Sequence, residues 1–323
     1  WKVFQSAGWP AGGSGSQLTP AVAREHAAQL FARVSEVMLA GTERVARCWR
    51  PDVVLYGELQ GAGAVVAARL GVPAVEHAIG LFGDGASIVA AMWPLLTDDP
   101  VADPIAIIRI APPSLGPEPA AGRWIMRPVP YNGGAVVPEA LLDLPSRPRV
   151  LITMGTVVPR LGGVGLVRDL VDAVLATAAD AFAEPVEILV ALGSDPAELG
   201  TLPESVWAYR WLPLAAALPS CAVVIHHGGA GSTLSALVAG TPQVVVPQGA
   251  DQFINAASVS RRGCAVTADP PPAGIGEALR RALSGEFDRA AREVRNEIAL
   301  LPSPTVIAAR LTEQVRSHGD ALT

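Results

Sequence analysis

The chain is poor in cysteine, in aromatic residues and in charge, and each shortage excludes something. Three cysteines in 323 residues (Cys48, Cys221 and Cys264) are too few and too scattered for a disulfide framework or a zinc site. A reducing, cytoplasmic setting is the expectation that follows. The formal net charge is -6. Phosphate backbones demand clustered Lys and Arg, so this charge argues against a nucleic-acid partner. No stretch approaches the roughly 18 consecutive apolar residues that cross a bilayer. The first residues, "WKVFQSAGWPAGGSGSQ", lack the charged start and long apolar core of a signal peptide. There is no internal repeat, no G-x-G-x-x-G fingerprint and no lysine behind a glycine loop. An NAD-dependent oxidoreductase and a Walker-type nucleotide site are thereby disfavoured.

What is present is apolar: half of the residues are hydrophobic and only 17% are charged, so the chain is globular and long enough for two domains. After the Gly/Ser-rich stretch Gly12–Ser16, Thr19 and Pro20 read as an N-cap and a first helical residue. Ala27, Leu30, Phe31, Val34 and Met38 recur at helical spacing, which predicts one long helix from 20 to about 47. "PDVVLY" (51–56), "GAVVAARL" and "VPAVEH" (72–77) then read as strand, helix and strand, with Gly71 stopping the helix. Such a βαβ unit implies a parallel sheet. Residues 80–147 are rich in Pro and Gly and show no long periodic segment, and "DLPSRPR" (143–149) reads as an interdomain linker. Beyond it, strands at "VLITMG", "VEILVAL", "VWAYRW", "AVVIHH" and "QVVVP" alternate with helical patterns at 165–182, 231–239 and 252–262. Three more helical patterns, 273–284, 287–300 and 303–316, close the chain. The alternation predicts a doubly wound α/β domain.

In such sheets ligands lie at the carboxyl ends of the strands. Here those ends carry Thr156, Trp211, His226–His227 and the run Gln248 to Gln252. Gly228, Gly229 and Gly231 let a ligand approach the backbone, and their amides open a helix beginning near Ser232. Free N–H groups and the positive end of the helix dipole then face the ligand, which is an anion site. Ser232 and Thr233 add hydroxyl donors. Adjacent strand residues point to opposite faces, so one of the two histidines is expected to be buried and structural rather than a metal ligand.

These residues resemble a known family. "HHGGAGSTLSALVAGTPQVVVPQGADQFINA", preceded by "RPRVLITMGT" and "YRWLPLAAALPSC", is similar to the donor-binding half of GT-B nucleotide-sugar glycosyltransferases, in particular the bacterial enzymes that decorate polyketides and other antibiotics. The resemblance spans about residues 45–318, with 226–256 its most specific part. It implies two Rossmann-like, doubly wound parallel-sheet domains facing a cleft. Residues 1–143 would bind the acceptor, with the N-terminal part of that domain expected to be missing from this sequence. Residues 149–302 would bind the donor, and 303–323 would return as a helix to the first domain.

The resemblance also implies residue roles. Trp211 would stack on a pyrimidine base whose edge is read by the Leu212 backbone. Thr156, His227, Gly229, Gly231, Ser232 and Thr233 would hold a diphosphate, and Asp251 and Gln252 the sugar hydroxyls. Plant relatives that use uridine diphosphate sugars bind the ribose diol with a Gln and a Glu; Leu214 and Ser235 stand at the matching positions here, which favours thymidine diphosphate. The implied reaction is a metal-independent, inverting transfer of a deoxysugar to a hydrophobic natural-product aglycone, with the TDP-sugar as co-substrate and no cofactor. The family's base is a His after a Gly in the first βα loop, a segment not found in this chain.

His77 and Glu58 are the candidates left for catalytic work. A strand-end side chain with a packing role is an equal reading of His77, and a solvated loop carboxylate a slightly favoured reading of Glu58. Phe82, Met92 and Trp93 are candidates for the acceptor surface, against ordinary packing. A homodimer stays open. Two alternatives accompany this expectation: a nucleotide-sugar epimerase, for which extra acid/base carboxylates are not found, and a non-catalytic partner that has lost its base. A Gly–His pair after a strand, upstream of Trp1, would remove the second.

Overall fold

Apolar, β-branched runs bounded by Gly and Pro form parallel strands, and the alanine-rich segments between them form the crossover helices. The computed structural model describes residues 20–81, 85–116, 122–133, 136–143, 145–159, 164–181, 186–249, 251–268 and 274–320. Gly12–Ser16, Thr19 and Phe82 lie outside them. The chain divides into two compact units, Trp1–Arg127 with Leu301–Thr323, and Pro128–Leu300.

The first unit opens with α1 (Pro20–Trp49), whose Ala28, Ala32 and Ser35 are buried. β1 (Val54–Gly57), α2 (Gly61–Leu70) and β2 (Ala74–His77) follow at the expected places. Gly71 ends α2 in the left-handed conformation (φ 66°), and its amide caps the carbonyls of Ala67 and Ala68. The start of α2 is held by the buried Ser35 hydroxyl, which accepts the Gly61 N–H at 3.0 Å.

Residues 80–147, expected to hold no long periodic segment, contain α3 (Gly85–Leu96), β3 (Ala106–Arg109) and β4 (Arg123–Ile125). α3 is apolar nearly all round and carries Pro94, so neither a stripe nor a clean stop announces it. The two strands are four and three residues long, too short for a pattern to show. The four strands form a parallel sheet in chain order, β1-β2-β3-β4. The last helix, Pro304–Asp320, packs Ile307 against Val75, Ile108 and Trp124 of this unit. Arg310 lies 4.3 Å from the centre of the Trp124 ring.

The second unit contains β5 (Arg149–Thr153), α4 (Gly165–Ala181), β6 (Glu187–Ala191), β7 (Val206–Tyr209), the short α5 (Leu214–Ala217), β8 (Val223–His226), α6 (Ala230–Ala239), β9 (Gln243–Val245), α7 (Gln252–Arg261), β10 (Ala265–Thr267), α8 (Ile275–Leu283) and α9 (Asp288–Leu300). β10 and the short α5 are the elements of this unit that the sequence pattern did not announce. The six parallel strands run in the order β10-β9-β8-β5-β6-β7. The chain therefore reverses direction between β5 and β8, and a ligand crevice opens at such a switch point. Leu151, Ile152, Ile188, Leu189, Val190 and Ile225 are completely buried, each worth about 1.5–3 kcal/mol relative to exposure.

This unit begins earlier than the expected 143–149 boundary because Asn132 is tied into it. Its carbonyl accepts the Trp211 Nε1–H at 2.7 Å, and its Oδ1 accepts the Ala215 N–H at 2.8 Å. Among the described residues no helix is long and apolar enough to cross a membrane.

Candidate functional site

Two glycine turns meet at the switch point of the second unit. After β5, Gly155 has φ 68°; after β8, Gly228 has φ 86°. Both values lie where L residues are strained. His227 fills the space that these turns leave. A Cβ on Gly155 would stand 2.7 Å from its Cε1, and one on Gly229 would collide with its Nε2. The ring is half-buried, and burial pushes its pKa down to about 4, with the Thr153 backbone acting in the opposite direction. At neutral pH it is an uncharged imidazole, able to donate one N–H.

His226 faces the other way. It is completely buried, accepts the Gly228 N–H on Nδ1 (3.0 Å) and pairs through Nε2 with Gln243 Oε1 (2.9 Å). The expectation of one structural histidine holds, because neighbouring residues at a strand end take opposite faces.

Gly229 is the N-cap of α6 and supplies no side-chain cap, so the first amides of the helix are left for a ligand. Gly231 is exposed, and nothing lies within 4 Å of the place its Cβ would take. Ser232 is half-buried beside it. Thr233 departs from expectation: it is fully buried, and its hydroxyl donates back to the Gly229 carbonyl at 3.0 Å. Helical geometry turns that side chain inward, so its hydroxyl proton is not offered to an anion. Thr156 stands exposed just past Gly155.

Trp211 is 50% exposed, with its indole N–H anchored on Asn132. One edge is fixed while much of the ring stays open, which suits stacking. Leu212 behind it is buried. At the far side of the switch point, Asp251 and Gln252 begin α7, both half-buried. Burial raises the pKa of Asp251, while its own backbone and Asn255 lower it. Gln252 Oε1 accepts the Gln248 N–H at 2.7 Å, which leaves its amide N–H groups for a ligand.

Sequence reasoning missed three supports: Asn132, Gln243 and Asn255. Asn255, completely buried, donates to the Gly228 carbonyl (2.8 Å) and to Asp251 Oδ2 (3.0 Å). Its place four residues after Asp251 was a usable signal, as was the lone polar Gln243 opening an apolar strand. Asn132 gave none.

In the first unit, His77 ends β2 half-buried, beside the end of β1. Glu58 is not a solvated loop carboxylate: it is completely buried. Its amide donates to the His77 carbonyl (3.1 Å), and its Oε1 accepts the Ile79 N–H (2.9 Å). Arg109 Nη1 lies 3.7 Å from Oε2. Burial nevertheless dominates and pushes the carboxyl up to about 7. Met92, expected at an acceptor surface, is instead completely buried with Ala28, Ala32, Tyr56 and Val89, because α3 turns that side toward α1. Trp93 packs half-buried against the same cluster.

Parallel α/β units, the second with a glycine turn and a helix N-terminus at its switch point and an open indole after its edge strand, have the frame of a GT-B nucleotide-sugar transferase. Residues 22–155 match the family described as erythromycin biosynthesis protein CIII-like, N-terminal domain, and residues 173–314 match its C-terminal domain. The elloramycin glycosyltransferase ElmGT of Streptomyces olivaceus is 40% identical over 294 residues, covering 88% of this chain and 74% of that protein. The 3-alpha-mycarosylerythronolide B desosaminyl transferase of Saccharopolyspora erythraea is 30% identical over 306 residues, covering 84% and 70%.

Among solved structures, the glycosyltransferase SnogD from Streptomyces nogalater superposes with a TM-score of 0.77 at 36% identity, covering 92% of this chain and 81% of SnogD. The spinosyn rhamnosyltransferase SpnG complexed with thymidine diphosphate gives 0.80 at 27% identity, covering 92% and 83%. The chain belongs to the erythromycin CIII-like family of antibiotic glycosyltransferases.

Proposed function

We propose that this chain moves a deoxysugar from thymidine diphosphate to a hydrophobic polyketide-type aglycone, with inversion at the sugar and without a metal. The observation that carries the reading is the open amide end of α6 at the switch point of the second unit, together with the anchored, half-exposed Trp211 ring after β7 at the carboxyl edge of the same sheet. The ring stacks on the base, and the backbone of Leu212 reads its edge. The amides of Gly231 and Ser232, the Ser232 hydroxyl, Thr156 and neutral His227 hold the diphosphate. Asp251 and the Gln252 amide take the sugar hydroxyls.

Preference for thymidine over uridine diphosphate is supported by Ser235. It is buried, and its hydroxyl is spent on the Gly231 carbonyl at 2.7 Å. No carboxylate stands there to chelate a ribose diol, and the thymidine sugar lacks the 2′-hydroxyl. The relatives' names and the thymidine diphosphate complex of SpnG are consistent with this donor.

In the reaction, an acceptor hydroxyl oxygen bonds to C1 of the sugar as the C1–O bond to the diphosphate breaks. The hydroxyl proton passes to a base, and the leaving group departs with the electron pair. Its growing charge is met by the α6 N-terminus, fixed dipoles that need no reorganisation. Of the two acid/base candidates, His77 is the one with an exposed portion; buried Glu58 braces the turn after it and acts through that turn. The three free cysteines suit a reducing cytoplasm.

The test is turnover of a TDP-deoxysugar with an aromatic polyketide aglycone, following TDP release and the anomeric configuration of the product by NMR. Retained configuration would reject inversion, and no TDP release with any aglycone, despite TDP binding, would reject catalysis.

A further inference from the structure

The peptide unit of Gly228 is gripped from both sides by completely buried side chains. Its N–H enters His226 Nδ1 at 3.0 Å, and its C=O receives Asn255 Nδ2 at 2.8 Å. A nitrogen that accepts a backbone N–H carries no proton, so the His226 proton sits on Nε2 and is donated to Gln243 Oε1 at 2.9 Å. Burial pushes the His226 pKa down to about 3, in keeping with this single neutral tautomer. The same Asn255 nitrogen reaches Asp251 Oδ2 at 3.0 Å, so one amide group ties the glycine turn to the start of α7. Gly228 itself has φ 86°, and a Cβ there would stand 2.9 Å from Val245 Cγ1 and 3.0 Å from the Gln252 carbonyl oxygen. The turn therefore has one conformation, defined by three buried polar side chains that touch no solvent.

We infer that His226 and Asn255 are positioning residues of the donor site. By holding the Gly228 N–H, His226 sets the turn so that the Gly231 and Ser232 amides face the diphosphate, and Asn255 couples that turn to the Asp251 carboxylate that holds the sugar. The inference rests on the donor-site reading given above. Neither residue touches the donor. Their role is to make the phosphate and sugar contacts form together, so that a nucleotide-sugar is held better than the sum of its halves. Gln243 orients His226 and belongs to the same relay.

The experiment compares TDP and TDP-glucose binding by calorimetry in the parent and in His226→Asn, His226→Gln, Asn255→Ala, Asp251→Ala and the double variant Asn255→Ala/Asp251→Ala. Each variant is also monitored by thermal unfolding and by amide exchange. An Asn Oδ1 falls where His Nδ1 was, whereas a Gln amide reaches toward Nε2. His226→Asn should thus keep TDP affinity within about threefold and His226→Gln should lose about tenfold or more. Exchange of the 228–232 amides should accelerate in His226→Gln and not in His226→Asn, with β5 unchanged in both. Asn255→Ala should weaken TDP-glucose several-fold more than TDP, and that excess should vanish in the Asp251→Ala background.

Equal behaviour of the two His226 variants, or an Asn255→Ala loss identical for both ligands, would overturn the inference while leaving the donor site intact. Failure of the parent to bind TDP would instead overturn the donor-site reading and the inference with it. If Asn255→Ala does not fold, Asn255→Ser, which keeps a short donor, carries the same comparison.

Discussion

Gly228→Ala and Gly231→Ala lie in the same turn and should move stability in opposite directions while both weaken the donor. At Gly228 an added methyl meets a left-handed backbone (φ 86°), Val245 Cγ1 at 2.9 Å and the Gln252 oxygen at 3.0 Å. The backbone strain costs about 1–2 kcal/mol. Overlap with packed atoms, one of them main chain, adds about 1–3 kcal/mol, so a loss of about 2–5 kcal/mol is expected. At Gly231 nothing lies within 4 Å of the new Cβ, and the residue is in the first turn of α6. Alanine there removes glycine's excess chain entropy, a gain of up to about 0.5–1 kcal/mol.

The same Gly231 methyl stands over the amides assigned to the diphosphate. An affinity loss of at least about tenfold, or about 1.4 kcal/mol, should accompany the gain in stability. Thermal unfolding and TDP calorimetry on the two proteins read both quantities. A Gly231→Ala protein that binds TDP as tightly as the parent would refute a diphosphate at the α6 N-terminus. A Gly228→Ala protein of unchanged stability would refute the geometry of the turn.

Trp211→Ala should lose about 1–3 kcal/mol of TDP affinity, the usual worth of base stacking. Trp211→Phe, which keeps a ring but lacks the N–H held by Asn132, should fall between it and the parent in the same titration. Glu58 has its pKa raised to about 7, so the stability it contributes is full below about 4.5, its ordinary value, and is lost as pH rises through about 7. That amounts to about 3 kcal/mol. The stability difference between the parent and Glu58→Gln should therefore change by that order between pH 4.5 and 8 in urea titrations; a constant difference would show that Glu58 is not buried.

His226 and His227 work in the other sense, with folded pKa values lowered to about 3 and about 4. Their contribution is present above about pH 6.5 and is lost as pH falls toward those values, about 2 kcal/mol each by pH 5. Amide exchange across β8 and α6 should quicken on acidification, and His226→Asn should remove part of that response. Millimolar EDTA should leave glycosyl transfer unchanged, and a loss restored by a divalent cation would show a metal in the reaction.

The second unit was legible because its signals are chemical as well as periodic. Five of its strands are apolar runs that stop at Gly, Trp, His or Pro at the carboxyl edge of the sheet, where the sequence places chemically distinct residues. That one of the two adjacent histidines is buried followed from strand alternation; the structure shows that it is His226. The first unit was harder to read for physical reasons. α3 is apolar on most sides, so its sequence has no polar face to mark it, and Met92 and Trp93 looked like loop side chains free to meet a ligand when Met92 is core and Trp93 packs half-buried against it.

Glu58 was misjudged because a carboxylate after a strand is ordinarily solvated; its burial depends on Arg109, a residue far along the chain, and on the Ile79 amide. Thr233 failed for a local reason, since a hydroxyl in the first turn of a helix can turn back on the carbonyl four residues earlier. Asn132 contacts Trp211 across 79 residues of chain, a distance at which no pattern in the sequence speaks.

The central claim is a thymidine diphosphate donor site on the second unit. The most direct measurement of it is thermal unfolding of the protein alone and with TDP, UDP or NAD, repeated with Trp211→Ala. A ligand at about 100 times its dissociation constant stabilises by about 2.7 kcal/mol, enough to shift the melt by several degrees. The account predicts a clear shift with TDP, a smaller one with UDP, none with NAD, and loss of the TDP shift in Trp211→Ala. An unshifted melt with TDP, or an equal shift in Trp211→Ala, would contradict it.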